Sequence, residues 1–442
     1  MRNPSVEDLA GYAVAVAGEV NPPNAAGQPC LGLVVGAYAA QARFTDGGAA
    51  YLLCDAPLGT WSLGVATARL LGEGVGAVAG ETVAGPGDVT GDGVPDVAVG
   101  SAQADQGTVL DAGAVYVLTG PLYGDVHLED APFIVRGVAP DSSTAFVAAA
   151  GDYDGDGALD LLTGAYLTSD NRGAVSLWRG PVAGEHLAPE ADASFTAEQD
   201  GDWVGACAGG EDLDGDGLDD VAISAQGDDT AGDRYGAVYI VTGGAGGTTS
   251  LADADWKLLG SYFSGSSDQF HLVVGGDLDQ DGLGEFLVGS DAAGPTRGAS
   301  ADQYDGAVYQ IGGPLGAYDE LEDAATVFRG PVSAYNAYAS RAANAGDING
   351  DAWDDIAIGG PVWTTRSAAE GAVFVVYGPS SGTVDLATAD VIWQGAQEWG
   401  MAGADVAPAG DVDGDGCADL LIGSRPYFDY RGHAWLIGGC GT

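Results

Sequence analysis

The sequence predicts an all-β fold, a seven-bladed β-propeller built from four-stranded antiparallel blades. Three observations predict it. An acidic motif of nine residues returns six times, a short apolar run follows each copy, and a second apolar run, usually beginning Gly-Ala-Val, comes later. The motifs begin 64, 60, 65, 70 and 64 positions apart, so one unit repeats along the chain. Units of this size cannot bury a core alone and stack into closed arrays of four-stranded blades.

The acidic motifs are typical of calcium-binding loops. They read DVTGDGVPD from Asp88, DYDGDGALD from Asp152, DLDGDGLDD from Asp212, DLDQDGLGE from Asp277, DINGDAWDD from Asp347 and DVDGDGCAD from Asp411. Oxygen ligands at positions 1, 3, 5 and 9, with a carbonyl at position 7, suit the all-oxygen shell that Ca²⁺ prefers. An EF-hand is excluded, because its loop needs a Glu at position 12 and flanking helices. Position 12 is Thr163 in the second motif and aliphatic in the others.

We therefore expect up to six Ca²⁺ ions as cofactors. The expected ligands are Asp88, Thr90, Asp92, Val94 and Asp96; Asp152, Asp154, Asp156, Ala158 and Asp160; Asp212, Asp214, Asp216, Leu218 and Asp220; Asp277, Asp279, Asp281, Leu283 and Glu285; Asp347, Asn349, Asp351, Trp353 and Asp355; and Asp411, Asp413, Asp415, Cys417 and Asp419. A Gly at position 6 allows the sharp turn around the ion. Ala352 replaces this Gly, and Gln280 and Glu285 change another loop, so these two loops depart from the pattern.

The apolar runs after the motifs are too short for helices and are typical of buried strands. Each unit has one strand before its motif, one after it, a third in the Gly-Ala-Val run and a weaker fourth. A first unit without a motif precedes them, because Leu33 begins the equivalent run LVVGA while Asn24, Ala26, Gln28 and Gly32 occupy the ligand positions. The predicted domain is 1–442, with blades at 11–73, 74–142, 143–202, 203–265, 266–336, 337–397 and 398–442.

The last predicted blade has only three clear strands. Counting back from Ala17 and Gly18 leaves Met1 and Arg2 where its fourth strand would lie, so the N-terminal residues are the candidates to complete it. If they do not, the blade has an exposed edge with which another chain can pair.

The net charge of −50, from 14 basic and 64 acidic residues, excludes nucleic acid as a partner, since phosphate binding needs a positive surface. No apolar run reaches 18 residues, so no transmembrane segment is expected. The start of the chain has no hydrophobic signal region.

Cysteine positions match across two blades. Cys30 and Cys417 both fall at motif position 7, and Cys54 and Cys440 both follow a third strand. Two equivalent pairs predict disulfides from Cys30 to Cys54 and from Cys417 to Cys440, with Cys207 left as a buried thiol. Disulfides together with calcium loops indicate an oxidising compartment outside the cytosol.

The repeating pattern resembles the FG-GAP repeats of integrin α-subunit propellers and of many bacterial extracellular proteins. The resemblance rests on the apolar strand, the DxDxDGxxD loop, the following strand ending in Gly-Ala or Gly-Ser, and the later GAVYV strand, and it covers nearly the whole chain. It implies a propeller with calcium in its loops. It also implies a ligand on the face opposite those loops.

That opposite face is formed by the segments between second and third strands. Half of the basic residues lie in these segments, with several aromatic residues. The expected ligand-binding residues are Arg43, Arg172, Arg234, Arg297, Trp363, Arg366, Arg425, Tyr430 and Arg431. Arginine and aromatic side chains suit carboxylates and sugar rings. The alternative is that each arginine pairs with an acid of its own or a neighbouring blade.

No catalytic arrangement is evident. The four histidines, His127, His186, His271 and His433, have no metal-ligand spacing, and none neighbours a plausible nucleophile in sequence. The sequence therefore predicts a non-enzymatic, extracellular or cell-surface binding module for a protein or glycan. The alternative is a structural subunit of an assembly joined by edge-strand pairing.

Overall fold

The computed structural model describes residues 8–23, 30–54, 63–168, 171–231, 235–260, 270–291, 293, 306–313, 315–331, 339–364, 369–425 and 432–440. These residues form 31 strands in seven sheets, so the predicted all-β, seven-bladed propeller is confirmed. Among them no helix is long and apolar enough to cross a bilayer.

Each blade begins with an inner strand, which a loop connects to an antiparallel second strand. The inner strands are β1 (Val14–Val16), β5 (Thr82–Gly87), β10 (Thr144–Gly151), β15 (Val204–Glu211), β20 (Phe270–Gly276), β24 (Arg341–Gly346) and β29 (Ala402–Gly410). The second strands are β2 (Leu33–Ala37), β6 (Asp96–Ser101), β11 (Asp160–Ala165), β16 (Asp220–Ala225), β21 (Glu285–Ser290), β25 (Asp355–Gly360) and β30 (Asp419–Ser424). Six of these connections are the acidic loops.

The third and fourth strands continue each sheet outward in antiparallel order. The third strands are β3 (Ala49–Leu53), β7 (Ala114–Leu118), β12 (Ala174–Trp178), β17 (Ala237–Val241), β22 (Ala307–Ile311), β26 (Ala372–Val376) and β31 (His433–Ile437). The fourth strands are β4 (Ala68–Leu71), β9 (Phe133–Arg136), β14 (Ala193–Thr196), β19 (Trp256–Leu259), β23 (Thr326–Arg329) and β28 (Val391–Gln394). In the described residues blade seven has three strands.

Four blades also have a fifth strand, which the sequence did not predict. These strands are β8 (Gly124–His127), β13 (Gly184–Leu187), β18 (Gly247–Ser250) and β27 (Gly382–Asp385). Each comes from the following blade and pairs in parallel with the fourth strand of the blade before it. Short 3₁₀ helices lie at Leu63–Val65, Leu128–Asp130, Ala188–Glu190, Leu251–Asp253, Leu321–Asp323 and Leu386–Thr388. The prediction of four strands per blade was therefore incomplete.

The inner strands contact one another in chain order, and β29 contacts β1, which closes the ring. At the closure the backbone N–H of Val14 donates a 2.7 Å hydrogen bond to Oδ2 of Asp405. The ring surrounds a central cavity of about 690 Å³, lined mainly by small apolar residues of the inner strands and also by Asp405 and Cys207.

The apolar core lies between blades rather than in one centre. Tyr116 from the third strand of blade two packs with residues of blade one, and Phe133 from its fourth strand packs with Trp178 of blade three. Tyr116 and Phe133 are 0% and 1% exposed. Because each core belongs to two blades, no blade can bury its own apolar surface alone.

Both predicted disulfides are present. Cys30 is bonded to Cys54 and Cys417 to Cys440, while Cys207 is a buried free thiol. Burial raises the pKa of Cys207 to about 12, so this thiol is un-ionised at neutral pH. Residues 1–7, the candidates to complete blade seven, and residues 24–29 of the blade-one loop lie outside the described part of the chain.

Ring closure at Asp405 predicts a specific pH dependence. Burial raises the pKa of Asp405 from 3.8 to about 6, although Arg341 opposes the shift. The native state therefore keeps the proton to higher pH than the unfolded chain, and the stability contributed by the protonated acid is lost as the pH rises through about 6. Asp405→Asn cannot ionise. The unfolding free energy of the variant minus that of the parent should therefore increase by about 2 kcal/mol from pH 4 to pH 7, a figure that allows for partial solvation in the cavity.

Urea unfolding of both proteins at the two pH values measures this difference. A stability difference that does not change with pH would contradict the role assigned to Asp405.

Candidate metal centres and the opposite face

The ninth residue of each acidic loop is a buried acid. Asp96, Asp160, Asp220, Asp355 and Asp419 are 0% exposed and Glu285 is 2% exposed. One carboxylate oxygen accepts a hydrogen bond from the backbone N–H of the second loop residue, except in blade two, where the donor is the third. In blades three, four, six and seven the other oxygen accepts from a Gly N–H after the third strand, at 2.8 to 3.0 Å.

The first and fifth carboxylates fold the loop around themselves. In every acidic loop the N–H of residue six donates to the carboxylate of residue one, and the N–H of residue seven donates to that of residue five. Residue six has a positive φ throughout, including Ala352 at +72°. An alanine has a steric cost in this left-handed region that glycine avoids, and Gln280 at +59° brings a similar cost to the fourth position of the blade-five loop.

Four of the six loops bring their acids together. Ligand oxygens lie within 4.8 Å of one another in the clusters Asp152, Asp154 and Asp156; Asp212, Asp214 and Asp216; Asp277, Asp279, Asp281 and Glu285; and Asp411, Asp413 and Asp419. The blade-two and blade-six loops, which have Thr90 and Asn349 at position three, are not among these clusters in the described residues. Thr90 instead turns its hydroxyl toward Asp96, donating at 3.2 Å.

The clusters fit a hard cation. Oδ1 of Asp152 is buried and has no hydrogen-bond partner, which is costly for a carboxylate unless a cation contacts it. Three or four carboxylates, with no imidazole or thiolate in any of the four clusters, match the donor set of Ca²⁺ better than that of Zn²⁺. A further group of Asp415, Cys417 and Cys440 does not fit, because both sulfurs form a disulfide.

The electrostatics of position nine also fit a cation. Burial, with a smaller contribution from the other loop carboxylates, raises the pKa of Asp160 to about 6, of Asp220 to about 7 and of Glu285 to about 8. Without a counter-charge the ionised form is therefore disfavoured. A divalent cation beside these groups would stabilise their charged form.

The acidic loops also connect neighbouring blades. In three cases the backbone N–H of residue eight donates a hydrogen bond to the carbonyl of residue one in the preceding loop. These bonds run from Asp219 to Asp152 at 3.3 Å, from Gly284 to Asp212 at 3.1 Å and from Ala418 to Asp347 at 2.9 Å. The carbonyl of residue two accepts a hydrogen bond from a backbone N–H that follows the third strand of the next blade. For example, the N–H of Gly244 donates to the carbonyl of Tyr153 at 2.7 Å. The loops are thus joints between blades as well as candidate metal sites.

Several residues at these joints were missed by the sequence analysis. Arg179 places Nε 3.1 Å from Oδ2 of Asp154, within the blade-three cluster. Glu211 of blade four accepts a 2.9 Å hydrogen bond from the N–H of Gly276 in blade five. Asn344 of blade six donates to the carbonyl of Gly275 at 2.7 Å. The repeat did not indicate these residues, because each occurs in one blade only.

On the opposite face two predicted ligand-binding arginines form ion pairs. Arg43 pairs with Glu129 of blade two. Arg172 lies 3.1 Å from Asp200 and also donates to the carbonyls of Ala197 and Glu198. The alternative reading, in which arginines pair with nearby acids, therefore describes these two residues.

Arg425 has a different environment. It is exposed, and its guanidinium lies 5.0 Å from the centre of the Tyr12 ring. Tyr12 packs edge to face on Tyr38 with ring centres 4.9 Å apart. Burial raises the pKa of Glu81, and the positive charge of Arg425 opposes that shift. The mouth cluster, Tyr12, Tyr38, Glu81 and Arg425, draws on blades one, two and seven.

Trp363 packs edge to face on Phe374, with ring centres 5.6 Å apart, and joins an apolar core cluster. Of the remaining predicted ligand-binding residues, Arg234, Arg297, Arg366, Tyr430 and Arg431 lie outside the described residues. Their role stays a prediction.

Comparison with known proteins supports the resemblance seen in the repeats. The FG-GAP repeat profile matches residues 79–118. Integrin alpha-4 of Xenopus laevis is 32% identical over 199 residues, which cover 43% of this chain and 17% of that subunit. Integrin alpha-5 of the same species is 29% identical over 196 residues, with the same coverage. Integrin alpha-PS5 of Drosophila melanogaster is 27% identical over 299 residues, covering 60% of this chain and 27% of that subunit.

The matched region is thus less than a third of the length of any of these three subunits. The chain carries an FG-GAP repeat and is similar to the integrin α-subunits in its repeat sequence and in its seven-bladed propeller.

Proposed function

We propose that the protein is a non-enzymatic, calcium-stabilised, extracellular binding module that holds a protein or glycan ligand on the face opposite its acidic loops. The observation that carries the proposal is the division of the propeller into two chemically different faces. One face carries the acidic loops and their joints between blades. The other carries the mouth cluster, with an exposed arginine beside two packed aromatic rings.

Calcium is the proposed cofactor because the acidic clusters fit it and the loops join the blades. A cation held by the first, third, fifth and ninth residues would stabilise the loop conformation that positions the hydrogen bonds between neighbouring blades. The proposed role of calcium is structural, because the carboxylates that would bind it also accept hydrogen bonds from the backbone amides of the loop. The two disulfides support a location outside the cytosol, where calcium is also abundant.

The mouth cluster is the proposed ligand site because its chemistry differs from its surroundings. In a protein of net charge −50, an exposed arginine is a place where an anionic group can be held. A guanidinium binds carboxylates through paired hydrogen bonds, and flat aromatic rings pack against sugar rings. Arg43 and Arg172 each form a direct ion pair with an acid, whereas Arg425 forms none among the described residues, so Arg425 has the larger expected contribution.

A second candidate function is a structural subunit joined to other chains by edge-strand pairing. The observation that favours it is the three-stranded sheet of blade seven in the described residues. An unpaired strand at a sheet edge is a template for pairing with another chain.

The calcium proposal predicts that chelation lowers the melting temperature. Extracellular calcium loops bind at roughly 0.1 to 1 mM, so about 1 mM Ca²⁺ adds up to about 1.4 kcal/mol per loop. Asp214→Asn keeps the side-chain oxygen that accepts from the N–H of Asp216 but removes the charge, so it should lose about one loop's share of this stabilisation. Melting curves in calcium and in EDTA measure it.

The matched control is Asp229→Asn, at an exposed acid of the same blade outside the acidic loop. It should keep the full calcium response. Identical melting curves in calcium and EDTA for the parent protein would contradict the calcium proposal.

The ligand proposal predicts that Arg425→Ala weakens binding about tenfold or more, because removing a charged partner from a desolvated pair costs at least about 1.4 kcal/mol. The probe is an array of acidic glycans and acidic peptides. Arg69→Ala, which removes the same charge from the outer edge at its ion pair with Asp125, is the control and should bind as the parent does. Equal loss in both variants, or loss in neither, would contradict the assignment to the mouth cluster.

A further inference from the structure

The six acidic loops fall into two groups according to what contacts their carboxylates. In blades four, five and seven, residues one, three, five and nine of the loop are all acids. Within the described part of the chain, every hydrogen bond to these acids comes from a backbone N–H, and no side-chain donor contacts them. We call these three the all-acid loops.

In two of the other loops a side chain donates to a carboxylate of the expected ligand set. In blade two the hydroxyl of Thr90 donates to Oδ1 of Asp96 at 3.2 Å. In blade six Nδ2 of Asn349 donates to Oδ2 of Asp351 at 3.0 Å. Thr90 and Asn349 both occupy position three, where the all-acid loops have an aspartate. A neutral donor has therefore replaced an acid in each of these loops.

The blade-three loop has four acids but also a cation of its own. Nε of Arg179 lies 3.1 Å from Oδ2 of Asp154, the third residue of the loop. This contact is an ion pair rather than an aligned hydrogen bond, because Nε has no hydrogen-bond partner. Arg179 directly follows the third strand, and the equivalent residues in the other blades with acidic loops are uncharged: Thr119, Thr242, Gly312, Tyr377 and Gly438. We call the loops of blades two, three and six the donor-bearing loops.

The two groups differ in charge. Each all-acid loop has four carboxylates at the expected ligand positions. The loops of blades two and six have three, because Thr90 and Asn349 are neutral, and in blade three Arg179 offsets one of the four. The affinity of an oxygen-ligand loop for Ca²⁺ depends on the charge of its ligands. The donor-bearing loops are therefore expected to bind calcium more weakly.

The side-chain donors also compete directly with a cation. An oxygen that accepts a hydrogen bond from Thr90 or Asn349 must lose or share that bond when it contacts a metal ion. For Arg179 two responses are available, and both lower the affinity. If the guanidinium stays it repels the ion, and if it moves into solvent its ion pair with Asp154 is lost. Oδ1 of Asp152 has no hydrogen-bond partner, so this loop still favours a cation.

We propose that the acidic loops form two classes of calcium site, with the donor-bearing loops about tenfold weaker than the all-acid loops. The inference rests on the calcium cofactor of the proposed function and concerns how its binding is graded. As the calcium concentration rises, the loops of blades four, five and seven fill first. The loops of blades two, three and six fill last.

The two classes divide the joints between blades. The joint from Gly284 to Asp212 connects two all-acid loops. The joints that begin at Asp219 and Ala418 each end at a donor-bearing loop, in blades three and six. The first joint is therefore held at low calcium, whereas the other two tighten only when the donor-bearing loops fill. Because extracellular calcium loops bind at roughly 0.1 to 1 mM, extracellular calcium then changes the rigidity of the ring at these two joints.

Isothermal titration of the whole chain with Ca²⁺, after chelation and desalting, measures both classes. We expect two phases of about three ions each, with dissociation constants about tenfold apart. Hydrogen–deuterium exchange across the same titration locates the phases. The amide of Gly284 should gain protection in the first phase, and the amides of Asp219 and Ala418 in the second.

Variants that convert one class into the other assign the phases to loops. Arg179→Met removes the cation from the blade-three loop, and Asn349→Asp gives the blade-six loop a fourth acid. Each should move one ion from the weak phase to the tight phase, whereas Asp214→Asn should move one in the reverse direction in blade four. The matched control for Arg179→Met is Arg69→Met, which removes the same charge from an ion pair with Asp125 outside the acidic loops. It should leave both phases unchanged.

Far-ultraviolet circular dichroism shows whether each variant keeps the parent fold, and Arg179→Gln replaces Arg179→Met if that variant does not fold. A single class of sites in the parent, or unchanged phases in both Arg179→Met and Asn349→Asp, overturns the two-class proposal but leaves calcium as the cofactor. An equal shift in Arg69→Met assigns the effect to net charge and overturns the role of Arg179. Absence of calcium binding, with a melting curve unchanged by EDTA, overturns the proposed cofactor itself.

Discussion

The buried acid at position nine of each acidic loop is the interaction on which the rest of the structure depends. It begins the second strand, so its place is set by the sheet, yet its oxygens hold the backbone of the loop before it. In four blades it also holds the turn after the third strand. One carboxylate thus fixes three chain segments. Burying a charge so completely is favourable only with compensating hydrogen bonds or a cation, and the neighbouring carboxylates make the cation the stronger explanation.

The loops extend this constraint around the ring. Residue eight of one loop donates to residue one of the loop before it, as Asp219 does to Asp152 and Ala418 to Asp347. The apolar cores also join neighbouring blades, because each core contains residues of two blades. Parallel fifth strands also join neighbouring blades at the outer rim, where in the described residues four blades have their outer edge paired with a strand of the blade that follows.

The repeat predicted the blade count, the strand order and both disulfides because these features recur at fixed spacing. Cys30 and Cys417 could be paired with their partners only because both occupy the same position of the repeat. The fifth strands were not predicted, since segments such as Gly247–Ser250 are polar and lack the alternation of a half-buried strand. Their pairing comes from the neighbouring blade, which local pattern cannot show. Arg179 and Glu211 were missed for a related reason, because each acts in one blade and leaves no periodic signal.

The central proposal is that calcium ions bound in the acidic loops hold the joints between neighbouring blades. Hydrogen–deuterium exchange of single backbone amides, in calcium and in EDTA, tests this claim most directly. The account predicts that the joint amides of Asp219, Gly284 and Ala418 lose protection first in EDTA, while amides inside second strands, such as Ala222 and Ile358, stay protected. Equal loss of protection at both sets, or no loss at the joint amides, would contradict it.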